Sequence, residues 1–351
     1  MMAFLATNKN WFQIGQWLTF ADYGKVARRN MLVGWGGVAG LAVVVSIWLP
    51  MSSLSFDGNT WPGLARSLFY GAVACTFYLI CSHRLRNQQD RIAIFLRAAL
   101  ERFALLFRSC VVVAAIGSVG FLFSYLVTAW APPLQDALLA RLDERFGFNW
   151  LSFLVAINEH PLWAQVLVKS YESTAPLSQF VVVWLSIRGC GERLSEFLAL
   201  LSLSSLGLAV GMVLLPAAGA FVYFDPAPRL FDNFSASGEM WAFLGTFNNL
   251  RDGSLTTIDM SSIQGVVSFP SFHTMLGIIT TYALRDTRAL FIPAVILNGM
   301  MIVSTLPVGG HYLVDVLVGI LITVAAMYGL SYGSSHRESR SETVAVANGI
   351  S

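Results

Sequence analysis

The chain has 351 residues, 56% of them hydrophobic and 12% charged, with Lys+Arg 22 against Asp+Glu 20 and a net charge of +2. Such a composition, with mean hydropathy +0.63, excludes an ordinary soluble domain, and a nucleic-acid partner is not expected. Several uninterrupted apolar runs of membrane length predict an all-α fold, a polytopic transmembrane helical bundle of about eight spans.

Residues 1–30 are not expected to be a signal peptide. Trp11–Tyr23 mixes polar and aromatic residues and ends in a basic group, so an amphipathic segment on the membrane surface is expected. Two spans follow, at Met31–Pro50 and Gly63–Ser82, joined by a loop without Lys or Arg. A basic stretch with Arg84, Arg86, Arg91, Arg97, Arg102 and Arg108 then reads as a cytoplasmic linker, its arginines among headgroups or in cytosol. Residues 31–108 thus form a first unit.

A third span at Ser109–Ala131 stops at Pro132-Pro133, and Leu134–Trp150 reads as an external loop. Leu151–Glu159 and Pro161–Glu172 are predicted as two short interfacial helices, or as parts of one long kinked helix, before a fourth span at Ala175–Ile187. A fifth span, Leu194–Phe224, contains Pro216, expected to kink it. The polar interval Asp225–Gly265 is poor in basic residues and reads as external. The last three spans are expected at Phe269–Leu284, Ala289–Leu306 and His311–Tyr332, and residues 333–351 as a disordered cytoplasmic tail. Counted from a cytoplasmic N-terminus, every basic loop falls inside, and His273 and His311 fall on the external face. The four cysteines have no metal or disulfide spacing and read as small buried hydrophobes.

Ionisable residues at a membrane edge are costly enough to suggest function. His311 and Asp315 stand i, i+4 at a helix start, so both fall on one face; the carboxylate can hold one ring nitrogen as N–H and leave the other lone pair to attack. His273, at the start of the sixth span, is the expected general acid. Two imidazoles, one with a carboxylate partner, suit phosphoryl transfer through a phosphohistidine. Pro270 suits the first helical turn, leaving the amides of Ser271, Phe272 and His273 open to an anion. Ser271 and Ser304 offer hydroxyls to phosphate oxygens, and Gly309-Gly310 permits close backbone approach beside His311. The bland reading of these serines is a bond to a carbonyl one turn back. A metal held by His273, His311 and Asp315 is the rival chemistry, while His83, His160 and His336 have no evident partner.

The segments Phe269-Pro270-Ser271-Phe272-His273-Thr274 and Ser304 to Asp315 resemble two signatures of the type-2 phosphatidic acid phosphatase superfamily. The resemblance implies a six-helix catalytic core, residues 109–332, with its site at the membrane surface. His311 would be nucleophile, Asp315 its orienting partner and His273 the acid and later base. Phe272 stands where the common signature has glycine and Thr305 where it has arginine, and Asp225–Gly265 lacks the lysine–arginine–proline signature. In this the chain resembles the inositol phosphorylceramide synthase branch and its bacterial relatives. The missing cations require a substitute: Arg251 first, then Arg229 and Lys169.

The expected activity is therefore that of a metal-independent lipid phosphate phosphatase without a cofactor. It would sit in a bacterial inner membrane with its site facing the periplasm. The alternative is a phosphotransferase with a lipid or polyol acceptor, and a silent transport or scaffold protein is the third reading. Sequence leaves the oligomeric state open.

Overall fold

A computed structural model describes residues 18–234, 242–266 and 268–347. Thirteen α-helices are described: α1 Lys25–Trp48, α2 Thr60–Leu85, α3 Arg91–Ala129, α4 Asp136–Arg145, α5 Trp150–Asn158, α6 Pro161–Glu172, α7 Thr174–Arg188, α8 Gly191–Leu214, α9 Ala220–Phe224, α10 Ala242–Arg251, α11 Phe272–Ala283, α12 Arg288–Ser304 and α13 Leu313–Ala347. The strands among the described residues are β1 Ser55–Phe56 and β2 Thr257–Ile258, paired in parallel.

Among the described residues, five helices are long and apolar enough to cross a membrane: α1, α2, α3, α8 and the first part of α13, Leu313–Tyr332. The chain is an integral membrane protein. The pair α5 and α6, bent by 111° at Pro161, counts as a sixth if taken as one broken span. The expected fourth, sixth and seventh spans are shorter helices of 15, 12 and 17 residues. At about 1.5 Å per residue the 12-residue α11 reaches about 18 Å, well short of a hydrocarbon core of about 30 Å. Eight full crossings are therefore not what helix length supports.

Helix α8 is the axis, touching α1, α3, α7, α11 and α13. Small residues let its neighbours approach, and the Ser202 hydroxyl donates to the Gly34 carbonyl of α1 at 2.8 Å. At Gly211 a β-carbon would meet Pro270 Cδ at 2.5 Å, so that glycine lets the loop before α11 lie directly against the axis. Pro216 does not kink α8 but follows its end. The helix stops at Leu214, and Leu215 leaves helical geometry at φ −134°, ψ 69°, as a residue preceding proline does.

The basic linker is not separate from the third span, since α3 runs unbroken from Arg91 to Ala129. Arg108 is turned into the protein: its side chain is 3% exposed and forks onto Asp22 at 2.9 and 3.0 Å, with the rings of Phe20 and Tyr23 beside it. A guanidinium beside apolar helices needs that carboxylate, because an unpaired buried charge is expensive. Residues 1–17 of the expected amphipathic segment lie outside the described residues. The rest of that segment forms a turn at Ala21–Tyr23 with Phe20 fully buried, then the first residues of α1. Helix α13 continues to Ala347 through most of the expected tail.

The connections segregate to two ends. At one, β1 from the first loop pairs with β2 from the polar interval before α11. At the other, Arg193 and Arg285 share Glu196 at 2.7 and 2.6 Å, and Arg193 also pairs with Asp286. Segments expected on one membrane face thus meet one another.

Candidate active site

His311 sits just before α13 and Asp315 in its first turn. His311 Nδ1 lies 3.1 Å from Asp315 Oδ2, and both side chains are buried. The same oxygen accepts the Tyr312 N–H at 3.0 Å and the Ser268 hydroxyl at 3.5 Å. Three donors on one carboxylate oxygen fix the carboxylate, and the carboxylate fixes the imidazole. Gly310 makes the turn into His311 with φ +63°, a left-handed geometry that suits glycine, and its carbonyl accepts the Ala220 N–H at 2.7 Å.

Helix α11 is tied to this pair through its start. The Ser271 N–H donates to the Asp315 carbonyl at 3.1 Å, which ties the start of α11, where His273 stands, to the first turn of α13. Pro270 lies outside the first turn, following a cis peptide bond, and Ser271 is the N-cap. The expected opening of three amides is thus reduced, because that of Ser271 is already used. The Ser271 hydroxyl is fully buried and accepts from the Thr274 N–H at 3.4 Å and the Thr274 hydroxyl at 3.1 Å. Ser304 is also fully buried and donates to the Met301 carbonyl at 2.6 Å. For both serines the local role is the one visible, capping and back-bonding respectively.

Arg251 is not brought to the histidines by any described contact. It donates to the Pro132 carbonyl at 2.9 Å, lies 5.6 Å from the Phe247 ring, and lines a small cavity with Pro216 and Phe269. Burial pulls its guanidinium down while the Asp136 carboxylate opposes the shift. Lys169 pairs with Glu172 at 2.7 Å on the surface, and the Arg229 carbonyl accepts from Asn158.

Three residues that sequence reading passed over complete the site. Asp136 and Asp143, expected as external loop charges, are both buried on α4. Asp136 accepts the N–H groups of Ala218 and Gly219 at 3.1 and 2.9 Å and the Tyr312 hydroxyl at 3.0 Å. Asp143 accepts the N–H groups of Leu313 and Val314 at 2.8 and 2.9 Å, so it caps α13 from another helix. Burial pushes its carboxyl up, and those two N–H bonds oppose the shift. Tyr171 on α6 stacks on His273 with ring centroids 4.4 Å apart. In sequence the aspartates look like their exposed neighbours Arg141, Glu144 and Arg145, so no local signal separates them.

The cap makes a prediction. Asp143→Ala leaves two helix-start N–H groups without their acceptor, each worth about 1 kcal/mol or more. Thermal unfolding in detergent should show a loss of about 2 kcal/mol, and activity should fall with it because His311 adjoins the released turn. An unchanged unfolding curve would contradict the capping role.

A helical membrane protein with a buried histidine–aspartate pair at one helix start and a second histidine at another defines the class. The chain belongs to the PAP2 superfamily, whose family model matches residues 137–329 and so includes His273, His311 and Asp315. Membership supports a phosphatase or phosphotransferase acting on a lipid phosphate. Searches of curated proteins and of solved structures gave no match. Helices α1 to α3 lie outside the matched region.

Proposed function

We propose that the protein is a lipid phosphate phosphatase working through a phosphohistidine at the external membrane face, the periplasmic face if the membrane is a bacterial inner one. The observation carrying this is the 3.1 Å contact of His311 Nδ1 with Asp315 Oδ2. With Nδ1 held as N–H, the Nε2 lone pair of His311 attacks phosphorus, and the bond from phosphorus to the lipid oxygen breaks. His273 gives that oxygen its proton. Water then attacks the phosphohistidine, His273 takes the water proton, the N–P bond breaks and phosphate leaves. Ser271, Ser304, Gly310 and Arg251 remain assigned to phosphate binding. A phosphate oxygen needs a donor: Ser271, which at present only accepts, has its O–H to give, whereas Ser304 must give up its bond to the Met301 carbonyl and Arg251 its bond to the Pro132 carbonyl.

Transfer to a lipid or polyol hydroxyl is the second reading. It is favoured by the burial of His311, whose side chain is 6% exposed, since a site shielded from water suits an alcohol acceptor. The replacements at Phe272 and Thr305, which resemble the inositol phosphorylceramide synthase branch, point the same way. A panel of lipid phosphates, with and without polyol, followed by mass spectrometry separates the two. Free phosphate is the expected product and a chelator should leave the rate unchanged. A transferred headgroup would favour the second reading, and inhibition reversed by added metal would overturn the metal-free mechanism.

A further inference from the structure

An acid that protonates a lipid alkoxide must itself hold a proton in a poorly hydrated site, and something must stabilise that charged ring. His311 has Asp315 for such a purpose. Among the described residues His273 has no carboxylate within ion-pair distance. Its partner is Tyr171, stacked on it at 4.4 Å and 27°, with Oη 3.5 Å from Nδ1. Tyr171 also reaches the other half of the site, because a β-carbon placed on Gly309 would be 3.1 Å from Tyr171 Cε2 and 3.0 Å from His311 Cδ2. The tyrosine ring therefore stands at the seam between the two imidazoles. His273, Tyr171 and Gly309 are also partly exposed, whereas His311 and Asp315 are buried, so this seam is the accessible edge of the site.

We propose that Tyr171 is the positioning residue for His273, an inference that rests on the acid–base reading of that histidine. In the protonated ring the Nδ1–H has the tyrosine oxygen, 3.5 Å away, as the acceptor on which it closes when substrate tightens the site, so Nε2 is the nitrogen that cycles between N–H and lone pair. The aromatic face, meanwhile, favours the imidazolium by a cation–π interaction. The proton balance is simple. In the first step Nε2–H passes to the departing lipid oxygen, leaving a neutral ring with Nδ1–H still on Tyr171. In the second step Nε2 accepts the proton of the attacking water or alcohol, and the imidazolium is restored. A hydrogen bond of 3.5 Å is at the long limit, as contacts of catalytic histidines often are before substrate tightens them.

Tyr171→Phe keeps the stacked ring and removes only the oxygen. The test compares kcat/KM, which reports steps up to departure of the first product, for two substrates in mixed detergent micelles. Dodecyl phosphate has an alkoxide leaving group that needs the proton. A dodecyl-substituted nitrophenyl phosphate has one that does not. Tyr171→Phe should shift the ratio of alkyl to aryl kcat/KM about tenfold against the alkyl substrate, a fraction of what a general acid contributes. Aryl turnover in the same sample reports whether the site is folded. An unchanged ratio, whether both rates fall together or neither falls, would overturn the role of Tyr171. His311→Ala is run beside it: if that variant still turns over the aryl substrate, the phosphohistidine reading fails and the inference with it. If it is inactive while the Tyr171→Phe ratio is unchanged, only the inference fails.

Discussion

His311→Ala should abolish phosphate release from lipid phosphates, a loss of at least about 10³-fold, as removal of a nucleophile does elsewhere. The loss should coincide with the disappearance of a trapped intermediate. Wild-type protein quenched during turnover of a labelled lipid phosphate should carry an acid-labile, base-stable phosphoryl group, and the variant should carry none. The variant should fold, because Asp315 keeps the Tyr312 N–H and the Ser268 hydroxyl as donors when the imidazole is gone. His273→Gln supplies the complement. It should still be phosphorylated, slowly, and should hold the phosphoryl group longer because the water lacks its base. Sustained turnover by His311→Ala would mean that another group attacks.

The second large effect is expected at Asp315. Asp315→Asn has nearly the same shape and retains an oxygen to accept from Tyr312, but it removes the charge that orients His311 and stabilises its positive form. A fall in kcat of about 10³–10⁴ is expected, by analogy with the orienting aspartate of a serine protease triad. KM should change little, because Asp315 is fully buried and does not face substrate. The rate of phosphoenzyme formation should fall by the same factor as kcat. If KM rose and kcat held, Asp315 would be a binding residue and the mechanism would need revision.

These two experiments probe residues that were legible from spacing alone. The i, i+4 spacing points to the pair, but His311 lies two residues before α13, so the 3.1 Å contact comes from the turn at Gly310 and the helix start rather than from two positions on one helical face. The amphipathic and apolar patterns were local, so most helices fall near their expected positions. Helix length and termination were less legible. Pro216 ends α8 rather than bending it, and α11 is too short to span, because helix ends depend on what the neighbouring loops pack against.

What sequence by itself determined was the chemical inventory: a membrane bundle with a histidine–aspartate pair at one helix start and a second histidine at another. Tertiary structure decided the use of every polar group whose partner is distant in the chain. Asp143 caps α13 from 170 residues away, Asp136 holds Tyr312 from 176 away, and Tyr171 meets His273 across 102. It also returned Ser271 and Ser304 to helix ends and held Arg251 on Pro132. The physical reason is the same in each case. A buried donor or acceptor takes the partner that the packing of whole helices brings within reach, and periodicity along one helix carries no information about that partner.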